Sequence, residues 1–176
     1  MNSNLIHRPV AVIGTGETIT ADVLRCLIDY PVVELTPCRA AMGWDGGQRY
    51  RAVVVENFDR TARGSLSPCA AARWELFRRA DVTVIGLDDE EGRRMATELP
   101  VYAYSDGCPQ ADLTAKNVQI RSEGLEFEAL TDDELLRVRV PLVHGPRLYD
   151  YLAALAGALA IGVPLDRAAD RLREIQ

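Results

Sequence analysis

Two short stretches carry residue types that could do chemistry. The first is Gly14-Thr15-Gly16-Glu17-Thr18, which follows four apolar residues, Val10-Ala11-Val12-Ile13. A tight glycine turn between a strand and a helix aims backbone N–H groups at one point, the geometry that receives an anion. Phosphate loops of this kind want a lysine beside the turn, where it meets the phosphates as a positive point charge. Here Glu17 stands in that place. A carboxylate also suits the positive end of a helix with no ligand at all. Two readings follow: Glu17 fills the anion site from within, or it is an ordinary first-turn glutamate facing water. The second stretch is Asp88-Asp89-Glu90-Glu91, after the apolar run Val82 to Leu87. Asp88 and Asp89 are the metal candidates of the sequence, but an acidic pair at a helix start is more often a cap than a metal site.

The elements that must position these residues alternate along the chain. A strand over about residues 9–14 leads through the glycine turn into a helix from about Thr18 to Asp29, with Val23, Leu24, Leu27 and Ile28 at helical spacing. Val32 to Leu35 reads as a second strand, and residues 36–50, holding Pro37, Gly43, Gly46 and Gly47, as a loop. The valine run within Arg51 to Asn57 predicts a strand buried on both faces, as in a parallel sheet. Pro68 opens a helix to about Arg79, with Ala70, Trp74 and Phe77 on its apolar stripe. A strand over Asp81 to Leu87, a helix over Glu90 to Glu98 and a strand over Val101 to Tyr104 continue the pattern. Strand and helix in alternation imply parallel pairing with right-handed crossovers. Near Ala111 the pattern changes. Val118 to Arg121, Glu126 to Leu130 and Leu136 to Val140 read as antiparallel strands joined by short turns. Leu148, Leu152, Leu155 and Leu159 mark a helix ending at Gly162, and a last helix runs from Pro164 to about Glu174. The fold class is α/β: a three-layer, mostly parallel sheet flanked by helices, with a small antiparallel β-hairpin section near residues 111–140.

Composition bounds what such a fold could do. A length of 176 residues predicts one domain over 1–176, with Met1 to Arg8 as a polar tail. A net charge of −6 argues against nucleic acid or an anionic membrane as partner. No apolar run approaches the ~20 residues of a membrane span, and no signal-peptide pattern opens the chain, so a cytoplasmic protein is expected. Cys26, Cys38, Cys69 and Cys108 are scattered and read as reduced thiols, Cys26 as helix packing. His7 and His144 have no partner at metal-ligand spacing. Lys116 is the sole lysine among 20 basic residues, so a mechanism needing a lysine elsewhere is excluded.

With the order of elements in hand, the chain resembles the central, ATP-binding domain of the Mur ligase family. Those enzymes join an amino acid or peptide to a UDP-muramoyl carboxylate through an acyl phosphate. Ala71-Ala72-Arg73-Trp74-Glu75-Leu76-Phe77 is similar to the family's A-K-x-x-L-F or Y. Ile85-Gly86-Leu87-Asp88-Asp89-Glu90-Glu91-Gly92-Arg93 is similar to N-A-D-D-x-x-G-R. Ala111 to Val118 resembles the opening of the family's hairpins, and Asp150 to Ala156 and Ile161 to Leu165 resemble N-x-x-A-A-x-A and A-L-G-x-P-L. The resemblance covers about residues 9–175 and implies a central domain standing without the family's amino- and carboxy-terminal domains.

The departures from the family pattern fall on its chemistry. The phosphate loop G-T-N-G-K-T-T is here one residue short, Gly14-Thr15-Gly16-Glu17-Thr18-Ile19-Thr20, with Glu17 at the lysine position. Losing that charge-assisted contact forfeits ~1.5–3 kcal/mol before repulsion is counted. Arg73 stands at the lysine that is carbamoylated to help place magnesium, and arginine forms no such carbamate. It either pairs with Asp88 or Asp89 or lies in solvent. Asn57-Phe58-Asp59-Arg60 matches the start of T-N-x-x-x-D-H-L-D without its histidine, Gly86 replaces the asparagine before the acidic pair, and Pro146-Arg147 replaces H-N. The resemblance with these losses implies a pseudoenzyme: no catalytic residue, no cofactor, and a function in association with itself, as a homo-oligomer, or with another protein. An active ligase would use ATP and magnesium, with a cation from Arg39, Arg49 or Arg60, or from a second chain. A dinucleotide-binding module is the further alternative, since Gly14 and Gly16 fit two glycines of G-x-G-x-x-G and Glu34 lies where a ribose-binding acid would be.

Overall fold

The structure is a computed structural model that describes residues 8–14, 19–36, 46–56, 74–141 and 148–175. Strand β1 (Val10–Ile13) is buried throughout, as its unbroken apolar run requires. Helix α1 (Ile19–Leu27) follows, burying Val23, Leu24 and Leu27. Cys26 lies off that stripe and is exposed, so it is not the packing residue the sequence suggests. Strands β2 (Val32–Leu35) and β3 (Tyr50–Val55) come next, then a helical segment over 74–78 and β4 (Ala80–Gly86). Helix α2 (Glu90–Glu98), β5 (Val101–Ser105), β6 (Leu113–Arg121), β7 (Gly124–Leu130) and β8 (Leu135–Pro141) complete the sheet. Helices α3 (Leu148–Ala160) and α4 (Leu165–Arg173) close the described chain.

The eight strands form one sheet in the order β2-β1-β3-β4-β5-β6-β7-β8. Pairing is parallel from β2 through to β6 and antiparallel from β6 to β8. Alternation of side chains across each strand splits the core. Val10, Val12, Ala52, Val54 and Val84 pack on one face against α1, α3 and α4. Ala11, Ile13, Val53, Val55 and Ile85 pack on the other against Leu76, Phe77 and Met95. These are the three layers expected. Strand β6 begins five residues before the expected start, because Leu113 and Thr114 pair parallel with Tyr104 and Ser105 before the strand turns antiparallel against β7. The sheet changes character within that one strand.

Candidate functional site

In an open α/β sheet, ligands bind outside the carboxyl ends of the strands where the strand order reverses. Here that point lies between β1 and β3, because β2 flanks β1 on one side and the chain then continues on the other. Gly14 ends β1 and is buried there. Thr15, Gly16, Glu17 and Thr18 lie outside the described residues, as do Arg73, Asn57 to Arg60, Pro146 and Arg147. What frames the crevice is therefore read from its other walls. Thr20, in the first turn of α1 and fully buried, donates its hydroxyl to Oε1 of Glu56 at 2.7 Å. The Glu56 N–H donates in turn to Ile13 O at 3.0 Å, tying the end of β3 to the end of β1.

The neighbouring wall is an aromatic ring. Tyr104, buried in β5, donates its hydroxyl to Val55 O at 2.9 Å. A Cβ on Gly86 would sit 3.1 Å from the Tyr104 ring, so glycine at that position is what admits the tyrosine. Burial first, and then the carboxylates of Glu56, Asp89 and Asp88, push the Tyr104 phenol far above its ordinary value, so it stays a neutral donor. Ring and glycine fill the place where the sequence pattern has an asparagine.

Asp88 and Asp89 both spend their carboxylates on local structure. Asp89 caps α2, its Oδ1 accepting from Gly92 N at 2.6 Å. Gly92 must be glycine, because a Cβ there would fall 2.0 Å from Gly86 O. Asp88 accepts from the Ser105 hydroxyl and from Asp106 N. Burial raises the Asp88 carboxyl above the ordinary aspartate value, and the Ser105 hydroxyl and Asp106 N–H pull it partly back. Ser105 Oγ accepts from Gly107 N and Cys108 N, so Asp88 anchors the turn after β5. Among the described residues no group of three or more His, Cys, Asp or Glu is arranged to hold a metal ion. Glu34, the ribose-acid candidate at the end of β2, accepts from Arg25 Nη2 at 2.6 Å. A groove of about 950 Å³ lies far from the crevice, at the outer end of the β6–β7 hairpin, lined by Arg121, Glu126, Arg137, Arg139 and Arg173.

No family profile matches the chain. Individual relatives do. It is 32% identical over 95 residues to UDP-N-acetylmuramoyl-L-alanyl-D-glutamate--2,6-diaminopimelate ligase of Lactiplantibacillus plantarum, covering 53% of this chain and 19% of that protein. It is 26% identical over 149 residues to UDP-N-acetylmuramoyl-tripeptide--D-alanyl-D-alanine ligase of Escherichia coli K12, covering 78% of this chain and 33% of that protein. A solved structure of a UDP-N-acetylmuramoyl-L-alanyl-D-glutamate--2,6-diaminopimelate ligase superposes with a TM-score of 0.79 over 97% of this chain and 46% of its own, at 20% identity. The chain is a relative of the Mur ligases, with the fold of their central domain. It spans a fifth to a third of the length of these curated Mur ligases. Among the described residues no helix is long and apolar enough to cross a membrane.

Against the Mur ligase pattern, sequence reasoning missed two participants. Glu56 sits at the end of the valine strand beside Asn57, yet only the register of β1 with β3 brings it to Thr20, thirty-six residues away. Tyr104 reads as an ordinary strand residue until the parallel pairing of β4 with β5 places it opposite Gly86. A glycine replacing a polar residue at a strand end was the available signal that something larger fills the gap.

Proposed function

We propose that the chain is a Mur-ligase-like domain that no longer runs ATP-dependent amide ligation and works by association. The observation that carries this is the Tyr104 ring packed over Gly86, at the strand end where the family pattern has its asparagine, with its hydroxyl spent on Val55 O. Two further features support it. Asp88 and Asp89 are committed to Ser105, Asp106 N and Gly92 N. Glu17 and Arg73 bring the wrong charge signs for a triphosphate and its cation. Calorimetry with ATP and magnesium tests the proposal, with heats no larger than dilution as the expected result. Magnesium-dependent ATP binding with a defined stoichiometry overturns it.

One observation favours a second reading, an active ligase. A threonine hydroxyl in the first turn of the helix after β1, set on a carboxylate at the end of β3 as Thr20 is on Glu56, resembles the hydroxyl and carboxylate that hold magnesium in phosphate-loop enzymes. Amino-acid-dependent release of ADP and phosphate would decide for it, with ATP and magnesium as its cofactors.

A further inference from the structure

Among the described residues the sheet ends at β8, and the phase of its hydrogen bonds fixes what that edge offers. The turn before it closes with Thr131 N–H donating to Glu134 O at 2.9 Å. Antiparallel pairs alternate between bonded and non-bonded. Leu136, Val138 and Val140 therefore exchange bonds with Ala129, Phe127 and Leu125, while Leu135, Arg137 and Arg139 turn their N–H and C=O groups away from β7. Arg173 agrees with that phase, since its Nη2 approaches Arg137 O at 3.5 Å from outside the sheet. So long a contact, from a half-exposed side chain, gives way to a better donor.

Along this edge the residue types run acid, apolar, base. Asp132, Asp133 and Glu134 form the turn, Leu135 is 59% exposed, and Arg137 and Arg139 follow. Arg139 sits on Glu126 at 2.6 Å, whereas Arg137 reaches Glu126 and Glu128 only at 3.6 Å. Read in the opposite direction, this order is its own complement. About a two-fold axis at Leu136, Arg137 faces Leu135 of a second copy and Arg139 faces that copy's acidic turn. An axis at Arg137 would set Arg137 against itself, and one at Val138 would oppose Arg137 and Arg139. Like charges directly opposite destabilise a strand pair. An axis at Leu135 avoids them too, setting Arg137 against Asp133, but it pairs only Leu135 with itself inside β8 and puts the rest on the turn. The axis at Leu136, which pairs Leu135 with Arg137 twice, is therefore preferred. The outer half of β6 is a poorer edge despite Ile120 at 78% exposure. Asn117 at φ 51° puts a bulge there that breaks the pairing frame.

We propose that the chain associates with a second copy of itself through β8, the two sheets joining antiparallel about Leu136 into one continuous sheet. The interface is isologous and satisfies the outward N–H and C=O of Leu135 and Arg137 reciprocally. It names the partner in the association proposed above, and rests on that reading.

Sedimentation of the full chain tests it. The wild type is expected at twice the 19.4 kDa chain mass. Leu135→Pro removes one outward N–H and the exposed side chain at the first residue of a strand, where proline is tolerated. Asp133→Arg sets a cation against Arg139 of the second copy. Each is expected to raise the dimer dissociation constant about tenfold or more with an unchanged far-UV spectrum. In a Cys26→Ser background, since Cys26 is exposed, Leu136→Cys, at the axis and in a non-bonded pair, is expected to give a disulfide-linked dimer under mild oxidation where the background protein does not. A wild type of single-chain mass at the highest concentration reached overturns the proposal. So does a dimer indifferent to both substitutions and without the Leu136→Cys cross-link. A single-chain protein deaf to ATP removes this interface and leaves the loss of ligation standing. A β8 dimer that binds ATP with magnesium keeps the interface and removes the loss.

Discussion

Glycine and aspartate at the end of β4 make the sharpest residue-scale claims. A methyl on Gly86 meets the edge of the Tyr104 ring, which can shift a little, so Gly86→Ala is expected to cost about 1–3 kcal/mol. A methyl on Gly92 meets the backbone oxygen of Gly86, which cannot shift without moving β4, so Gly92→Ala is expected to cost more than Gly86→Ala. Urea midpoints order the two. At the cap between them, Asp89→Ala is expected to lose about 1 kcal/mol while Asp89→Asn stays near wild type, since asparagine caps as well. Two carboxylates give opposite pH signatures. Burial raises Asp88, so the folded state binds its proton more tightly, and that contribution is full below the unfolded value and lost as pH rises through the folded one. The Arg139 bond lowers Glu126, so its contribution is present above the unfolded value and lost as pH falls through the folded one. Urea melts across the acid range are therefore expected to show a shallower acid loss for Glu126→Gln. Asp88→Asn is expected to flatten the decline on raising the pH from about 4.

At the scale of elements, the parallel half of the sheet and the antiparallel section near residues 111–140 were both legible, and the first half of β6, which pairs parallel with β5, was not. Valine and isoleucine runs in β1, β3 and β4 are buried on both faces, and such strands announce themselves by continuity. Helix α2 matched its expected limits because Asp89 and the acidic first turn mark its start. Strand β6 was seen only from Val118 onward. Its first half, Leu113-Thr114-Ala115-Lys116-Asn117, holds Thr114 as its one strong strand former, and the bulge between Lys116 and Gln119 breaks the alternation a strand is recognised by. The site was less legible than the fold for a related reason: Glu56, Thr20 and Tyr104 meet only through registers between strands far apart in sequence. The bulge itself is testable. Asn117 holds φ 51° and donates Nδ2–H to Glu128 at 2.6 Å. A β-branched residue disfavours that conformation, so Asn117→Val is expected to cost ~1–3 kcal/mol. Asn117→Gly, free to adopt it, is expected to lose only the side-chain bond, a difference readable from paired urea melts.

For the whole molecule, α3 is what makes two kinds of sheet fold as one body. Leu152, Ala153, Ala154, Leu155 and Ala156 are all fully buried, and the helix lies against β3, β4, β5 and β6 as well as α1 and α4. It thus bridges the crevice strands and the start of the antiparallel section from one face. Its alanines let it sit close to the sheet, so the few large side chains carry most of the apolar area it covers. Leu155→Ala removes one of them where the surroundings cannot collapse, and a loss of about 2–5 kcal/mol is expected. Cooperativity is the sharper measure. Trp74 and Phe77 pack edge to face at 6.3 Å on the opposite face of the sheet, where α3 does not reach. If the sheet transmits the loss, urea unfolding of Leu155→Ala in a Trp44→Phe background, which leaves Trp74 as the fluorophore, shifts to one common, lower midpoint by tryptophan fluorescence and by far-UV dichroism. Separate midpoints, with fluorescence unmoved, would instead divide the molecule into a crevice layer and a helical layer held together by the strands alone.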